Sequence, residues 1–306
     1  VNLRSRWNWA IGGGHIPWLT GGGPAPQTPP RDGTLTRDAV VFRQLHRQFS
    51  GQVVYPFSDA RRIELFGGVQ SITFNRKTTS SVYSEVNGRL LRRTTITTPA
   101  SAPALLTESG AALVYDTAVY GPTSPIVGQR YRFALAPTFG TVAFTSVTAD
   151  YRRYVMPVRP FTIAMRVMHL GRYGGGSADP RLLPLVFTVR DVVRGYGDTG
   201  RTAGPDTALS ATRMLVGNLE MRFPIHALWT RRARSHALPA EGLVFYDAGQ
   251  FRLPRGRSQA LSATLQSVGA GVRLGAAGFI FEIDGVRRVG RSQDDWTFAI
   301  NFRPGF

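Results

Sequence analysis

The chain has 306 residues, 42% of them apolar and 11% aromatic, and 37 Lys+Arg against 19 Asp+Glu give a formal net charge of +18. That apolar content excludes a disordered polycation, and the absence of cysteine excludes a disulfide scaffold, thiolate-held zinc and a cysteine nucleophile. No run approaches the roughly 20 consecutive apolar residues of a spanning helix; the best, Leu182 to Val189, contains Pro184 and Thr188, so a membrane crossing by this chain is made with strands.

In chain order, alternation of apolar and polar residues marks thirteen segments: 1 to 11, 14 to 20, 37 to 55, 61 to 75, 105 to 120, 128 to 138, 141 to 155, 159 to 172, 211 to 224, 241 to 249, 259 to 274, 277 to 288 and 294 to 305. Tyr131, Phe133 and Leu135 oppose Arg130, Arg132 and Ala134; Leu219, Met221 and Phe223 oppose Asn218, Glu220 and Arg222. Val268, Ala270, Val272 and Leu274 oppose Ser267, Gly269, Gly271 and Arg273. Trp296, Phe298, Ile300 and Phe302 oppose Thr297, Ala299, Asn301 and Arg303. These are two-faced antiparallel strands. Many are near the 9 to 11 residues that a tilted strand needs to cross a bilayer, and nothing in the sequence provides a helix or second apolar sheet to cover them. Tyr151, Tyr154, Phe161, Tyr173, Phe245 and Tyr246 near strand ends fit an interfacial girdle. Lipid is the expected cover.

The connections differ in length. Short turns around Tyr55 to Asp59, Tyr120 to Pro122, Met156 to Val158 and Phe223-Pro224 place proline at strand ends and belong on the periplasmic side. Long stretches at Thr20 to Thr36, Arg76 to Thr107 and Arg172 to Ser210 are expected as outside loops, with Asn87-Gly88 able to form a small hairpin in the second. Bacterial single-chain barrels have even strand numbers. The odd count, together with a start at Val1 and no signal-peptide core, leads us to expect one barrel domain over 1–306 that lacks its first strands and is completed by them or by another chain.

Three motifs resemble the barrel of the bacterial surface antigen superfamily, which includes BamA-type assembly factors and TpsB-type two-partner secretion transporters. Val193-Arg194-Gly195-Tyr196 is similar to the signature of its long loop, Gly217 to Pro224 to the strand that follows, and Phe245-Tyr246-Asp247-Ala248-Gly249 to the F-x-D-x-G pattern of the next strand. Five strands follow the loop, as the resemblance implies for a sixteen-stranded transmembrane up-and-down β-barrel. It covers residues 105 to 306 well and the first 104 by topology alone. It also implies that the loop, 172–210, folds into the lumen, that the protein sits in the bacterial outer membrane, and that it inserts or translocates polypeptide as the C-terminal domain of something larger.

Strand parity turns Glu220 and Asp247 to the polar inner face, together with Asn218, Arg222, Phe245 and Gly249. Arg194, followed by Gly195 and Gly197, is able to reach in and pair with one or both carboxylates through charge-assisted hydrogen bonds, making the loop a latch with Tyr196 packed on the wall. The alternatives are an exposed Arg194, and carboxylates that are solvated or paired with strand arginines such as Arg222. At the other end of the chain, Trp296, Phe298, Phe302 and Phe306 resemble the terminal aromatic signal for barrel insertion; a chain end that happens to be aromatic is the plainer reading of Phe306.

Catalytic signatures do not appear. There is no Gly-x-Ser-x-Gly elbow and no H-E-x-x-H, and the glycine runs at 12–14, 21–23 and 174–176 lack the Lys-Ser/Thr of a phosphate loop. His15, His46, His169, His226 and His236 are dispersed, Asp294-Asp295 and Asp179 read as solvated loop acids, and Arg232, Arg234 and His236 as a basic turn. No cofactor, metal or enzyme activity is expected. Lys77 is the only lysine, and the arginines are spread rather than clustered, so no nucleic-acid partner is expected; a soluble basic β-protein that binds DNA is the contrary reading. The expected partners are outer-membrane lipids including lipopolysaccharide, polypeptide cargo and complex subunits. A passive pore or a scaffold subunit is the alternative function.

Overall fold

In a computed structural model, the described residues are 6–24, 28–31, 33–183, 185, 192–196, 211–225, 239–252, 262–276, 278–290 and 296–304. The strands are β1 (Asn8–Pro24), β2 (Thr28–Arg31), β3 (Thr34–Pro56), β4 (Arg61–Ser84), β5 (Leu90–Asp116), β6 (Val119–Tyr120), β7 (Pro125–Gly140), β8 (Phe144–Val158), β9 (Phe161–Tyr173), β10 (Arg213–Pro224), β11 (Ala240–Arg252), β12 (Ser262–Ala276), β13 (Phe279–Arg288) and β14 (Trp296–Pro304). They form one 14-stranded sheet in the order β1-β3-β4-β5-β7-β8-β9-β10-β11-β12-β13-β14, with β2 beside β3 and β6 beside β7. Each strand on that path lies antiparallel to its neighbour. This is an up-and-down transmembrane barrel wall, and among the described residues no ladder joins β1 to β14.

The path holds twelve strands, not thirteen, because segments 1 to 11 and 14 to 20 belong to one strand. Gly12, Gly13 and Gly14 do not break it; they pair in register with Ser50, Phe49 and Gln48. A continuous partner ladder carries glycines that local sequence reads as a gap. Two expected loops are also mostly strand. β1 runs on to Pro24 and β3 starts at Thr34, while β4 continues to Ser84 and reverses over 85–89 into β5. At that tip Gly88 has φ 66, and its N–H donates to the Ser84 carbonyl at 2.9 Å. The stretch 76–107 is rich in Thr and Ser and polar on both faces, so periodicity is silent there although its β-branched residues favour extended backbone. β3, β4 and the first half of β5 therefore overhang the neighbouring β7, which ends at Gly140 opposite Leu106.

Side-chain facing follows strand parity. The outward set is large, apolar and exposed: Trp9, Phe49, Leu65, Leu135, Val167, Leu219 and Ile283, and on β14 Phe298 is 81% exposed and Ile300 76%. A soluble protein does not leave such a continuous belt to water; it is the lipid-facing side. Inward-facing residues are polar or packed on the lumen contents. Tyr154 and Phe245 belong to this inner set and are buried, so they are not part of an interfacial girdle.

Candidate functional site

The segment Val192–Tyr196 lies against the inner wall formed by β9 to β13. Val192, Val193, Tyr196 and Leu185 are buried with Met168, Met214, Val216, Phe251 and Leu265, all wall residues facing the lumen. This apolar seating places Arg194 beside two carboxylates. Its Nε donates to Asp247 Oδ2 at 2.9 Å, its Nη2 donates to Asp247 Oδ1 at 3.1 Å and to Glu220 Oε1 at 2.7 Å, and its backbone N–H also donates to Asp247 Oδ2 at 3.1 Å. Glu282 Oε1 lies 3.7 Å from Nη1. Asp247 has no exposed surface, and Arg194 is itself buried. Both alternatives for Arg194 and Asp247, exposure and solvation, differ from what the structure contains.

Neighbouring contacts fix the turn. Asn218 donates from Nδ2 to the Val192 carbonyl at 2.9 Å and to Asp247 Oδ1 at 2.8 Å. Gly195 has φ 83, a left-handed conformation that a side chain rarely adopts, and a Cβ there would meet the Val286 Cγ1 at 2.8 Å. Its carbonyl accepts from Arg288 Nε at 2.8 Å, and the Arg288 guanidinium sits over the Tyr196 ring. The Tyr196 hydroxyl donates to the Gln266 carbonyl at 3.1 Å. Gly249 leaves room for Val193, since a Cβ there would approach Val193 Cγ2 at 2.9 Å.

Glu220 does not belong to Arg194 alone. Arg222 reaches its Oε2 at 2.6 Å and Arg273 its Oε1 at 3.1 Å, so the anticipated pairing with Arg222 coexists with the pairing to the loop. Arg273 also binds Glu282 Oε2 at 2.6 Å and Glu241 Oε1 at 3.3 Å, and Glu241 in turn accepts from the Ser124 and Thr123 hydroxyls. A continuous charged seam thus runs down the inner wall from the loop to the opposite rim. Arg273 was legible as an inward arginine on β12, but its link to Glu282 and Glu241 depends on strand register, which sequence does not supply.

The other sequence-identified positions are placed differently. Gly217 sits on the outward face of β10 with no atom within 4 Å of an added Cβ, away from Arg194. Trp296, Phe298 and Phe302 are exposed on the outward face of β14, where the Phe302 ring stacks on Phe279 at 4.8 Å. Gly197, Phe306, His226, His236, Arg232, Arg234 and Asp294-Asp295 lie outside the described residues.

A second contact between loop and wall had no sequence signal. After the short 3-10 turn Gly175–Ala178, the chain crosses toward β3. Gln44 Nε2 donates to the Arg181 carbonyl at 3.2 Å, Arg172 Nη1 donates to the Leu183 carbonyl at 2.7 Å, and Leu182 packs on a cluster of Ile72, Phe74, Ala104, Leu106 and Val142. Outside the membrane-spanning strands, Arg181 clamps Asp179 with Nε at 3.0 Å and Nη2 at 2.8 Å and holds its carboxyl below the usual range. Beside this second contact lies a cavity of about 770 Å³ whose polar lining includes His46, Gln70, Glu108, Arg132 and Arg172. Among the described residues no group of three or more His, Cys, Asp or Glu is arranged to hold a metal ion.

The family model of the Omp85 superfamily domain matches residues 42–306, and the chain belongs to that superfamily. Among solved structures it is similar to BamA from Haemophilus ducreyi lacking POTRA domains 1-3, with a TM-score of 0.50 and 11% sequence identity over 96% of this chain and 70% of that one. No curated protein matches it. It is a bacterial outer-membrane β-barrel protein of a superfamily that works generally in inserting or translocating proteins at that membrane.

Proposed function

We propose that this Omp85 superfamily barrel is a non-enzymatic domain of a larger outer-membrane protein, that it inserts or translocates polypeptide, and that its long loop, 172–210, is a plug latched into the lumen by Arg194. The observation that carries this reading is the simultaneous engagement of Asp247 and Glu220 by one buried guanidinium delivered from the loop. Two carboxylates on adjacent strands hold a bidentate donor in one orientation, and the apolar seat of Val193 and Tyr196 anchors the loop beside it. The unjoined edges of β1 and β14 are where further strands, or another chain, complete the wall. Val193, Arg194, Gly195 and Tyr196 form the bolt, Glu220 and Asp247 the catch, Phe245 and Gly249 its bed. The terminal pattern Trp296, Phe298, Phe302 and Phe306 serves insertion of the barrel itself.

The test is single-channel conductance in a planar bilayer for the barrel carrying its complete set of strands. The wild type is expected to be mostly closed, and Arg194→Ala to open it in long steps. Unchanged conductance in that variant, with the loop demonstrably displaced, refutes the plug and leaves a scaffold subunit or passive pore.

A further inference from the structure

The lipid-facing side of β1, β3, β4 and β5 carries a ladder of exposed cations above its apolar belt, and the geometry points to a docking surface for the phosphorylated glycolipid of the outer leaflet. β3 pairs with β4 without a register shift from Thr34 to Pro56, so every odd-numbered residue of β3 faces the same way as Phe49 and Val53. Those include Arg47, Arg43 and Arg37. On β4 the same face holds Leu65 and Val69 and, further along, Lys77; on β5 Arg93 pairs with Ser81, which pairs with Arg37, and on β1 His15 pairs with Arg47. All six basic residues are exposed. The chain's only lysine is among them.

Among the described residues no carboxylate, Glu85 at the tip of the overhang included, forms an ion pair with these charges. Asp38, Glu64 and Glu108 occupy even positions that face the lumen, and none of the five Arg and Lys residues is in an ion pair among the described residues. Arg37 instead lies over the Tyr83 ring at 5.6 Å, and Arg93 Nε donates to Ser81 Oγ at 3.4 Å, contacts that orient the two guanidinium groups while leaving them charged and exposed. A face rich in unpaired cations above lipid-facing apolar residues suits a ligand with acyl chains below and phosphates above. Outer-membrane barrels keep their short turns in the periplasm, so the overhanging rim faces outward and the ligand belongs to the outer leaflet.

Height decides which anionic lipid. Arg47 and Arg37 are ten residues apart on one strand, about 34 Å along it at about 3.4 Å per residue, which a tilt of 35–45° reduces to roughly 25 Å along the membrane normal. The headgroup layer of a phospholipid leaflet is only about 6 Å deep. A phospholipid phosphate therefore reaches Arg47 and not Arg37 or Arg93. A glycolipid that bears phosphates both at its acylated sugars and along its oligosaccharide reaches both levels, Arg47 and Arg43 with the first and Lys77, Arg37 and Arg93 with the second. The glycolipid surface does not depend on the plug; it requires only the outer-membrane barrel.

The test measures binding of the folded full chain in detergent to nanodiscs of phosphatidylcholine containing one of three probes: lipopolysaccharide with a phosphorylated core, lipid A alone, or phosphatidylglycerol. The wild type is expected to prefer the first. Arg37→Gln with Arg93→Gln, both on the overhang outside the bilayer, is expected to weaken core-bearing lipopolysaccharide by about 25-fold, at about fivefold per cation, and to leave lipid A unchanged. Arg37→Lys with Arg93→Lys restores binding. Equal affinity of the Gln pair and wild type for the core-bearing lipid, failure of the Lys pair to restore it, or equal binding of the wild type to phosphatidylglycerol each overturns the proposal. Should the Gln pair fail to fold, judged by heat-modifiable gel migration, Lys77→Gln is measured against the same three probes. It is expected to lose about fivefold for the core-bearing lipid alone, and an unchanged affinity overturns the proposal equally.

Discussion

The guanidinium carbon of Arg194 stands 3.6 Å from the centroid of the Phe245 ring. Phe245 and Asp247 are two residues apart on one strand and face the lumen together, so a single F-x-D step puts an aromatic face under the loop arginine and a carboxylate at its edge. Phe245→Leu keeps an apolar side chain and removes the ring. It is expected to loosen the loop by about 0.5–2 kcal/mol, read as faster protease cleavage within 172–210 with the barrel strands still protected.

Arg194→Ala is expected to cost the seated loop about 3–5 kcal/mol, because it strands a fully buried carboxylate. The stranded group is Asp247, which among the described residues keeps Asn218 and the backbone N–H of residue 194 but no cation, whereas Glu220 keeps Arg222 and Arg273. Hence Asp247→Ala on top of Arg194→Ala should add nothing, and the double variant should be no worse than either single one. A double-mutant cycle on protease accessibility checks this, and additive losses mean that the two do not act together.

Gly195→Ala places a Cβ on a left-handed residue and against Val286. The expected cost is about 1–3 kcal/mol. Combining it with Val286→Ala removes the collision but not the backbone strain, so loop protection should recover only in part.

Much of this was written in the sequence. Strand alternation is enforced by two chemically different sides, so the lipid belt, the inward placement of Glu220 and Asp247, and the five strands after the loop could be read residue by residue. What stayed hidden needs partners. Gly12 to Gly14 look like a break until β3 is alongside, and the Thr-rich stretch 76–107 is exposed over most of its length, with buried apolar side chains, Ala104 and Leu106, only near its end, so its strands come largely from pairing. The seam through Arg273 and the seat of Leu182 depend on which strands become neighbours across long separations.

The Asp179 carboxyl titrates below its ordinary value because Arg181 hydrogen-bonds its charged form, with burial pushing the other way. A depressed native pKa favours the folded turn above the unfolded pKa, and the benefit disappears as pH falls through the native one. Protection of the 179–183 limb should therefore be flat around neutrality and decline in acid, and Asp179→Asn should abolish the decline. Hydrogen exchange of that limb as a function of pH is the measurement.

Phe298→Arg sets a cation on the lipid side of β14, where Phe298 is among the most exposed aromatics. At a depth near the bilayer midplane this costs about 2–4 kcal/mol. Refolding yield into lipid vesicles should drop, while Thr297→Ser, on the opposite face, should leave it nearly unchanged.

Glu220 sits under three arginines, only one of which belongs to the loop. When that one leaves, the remaining two still pair Glu220, so this half of the catch stays in place and only Asp247 is left waiting for its cation. Such a fastening is suited to many cycles of release and return rather than to a single irreversible departure.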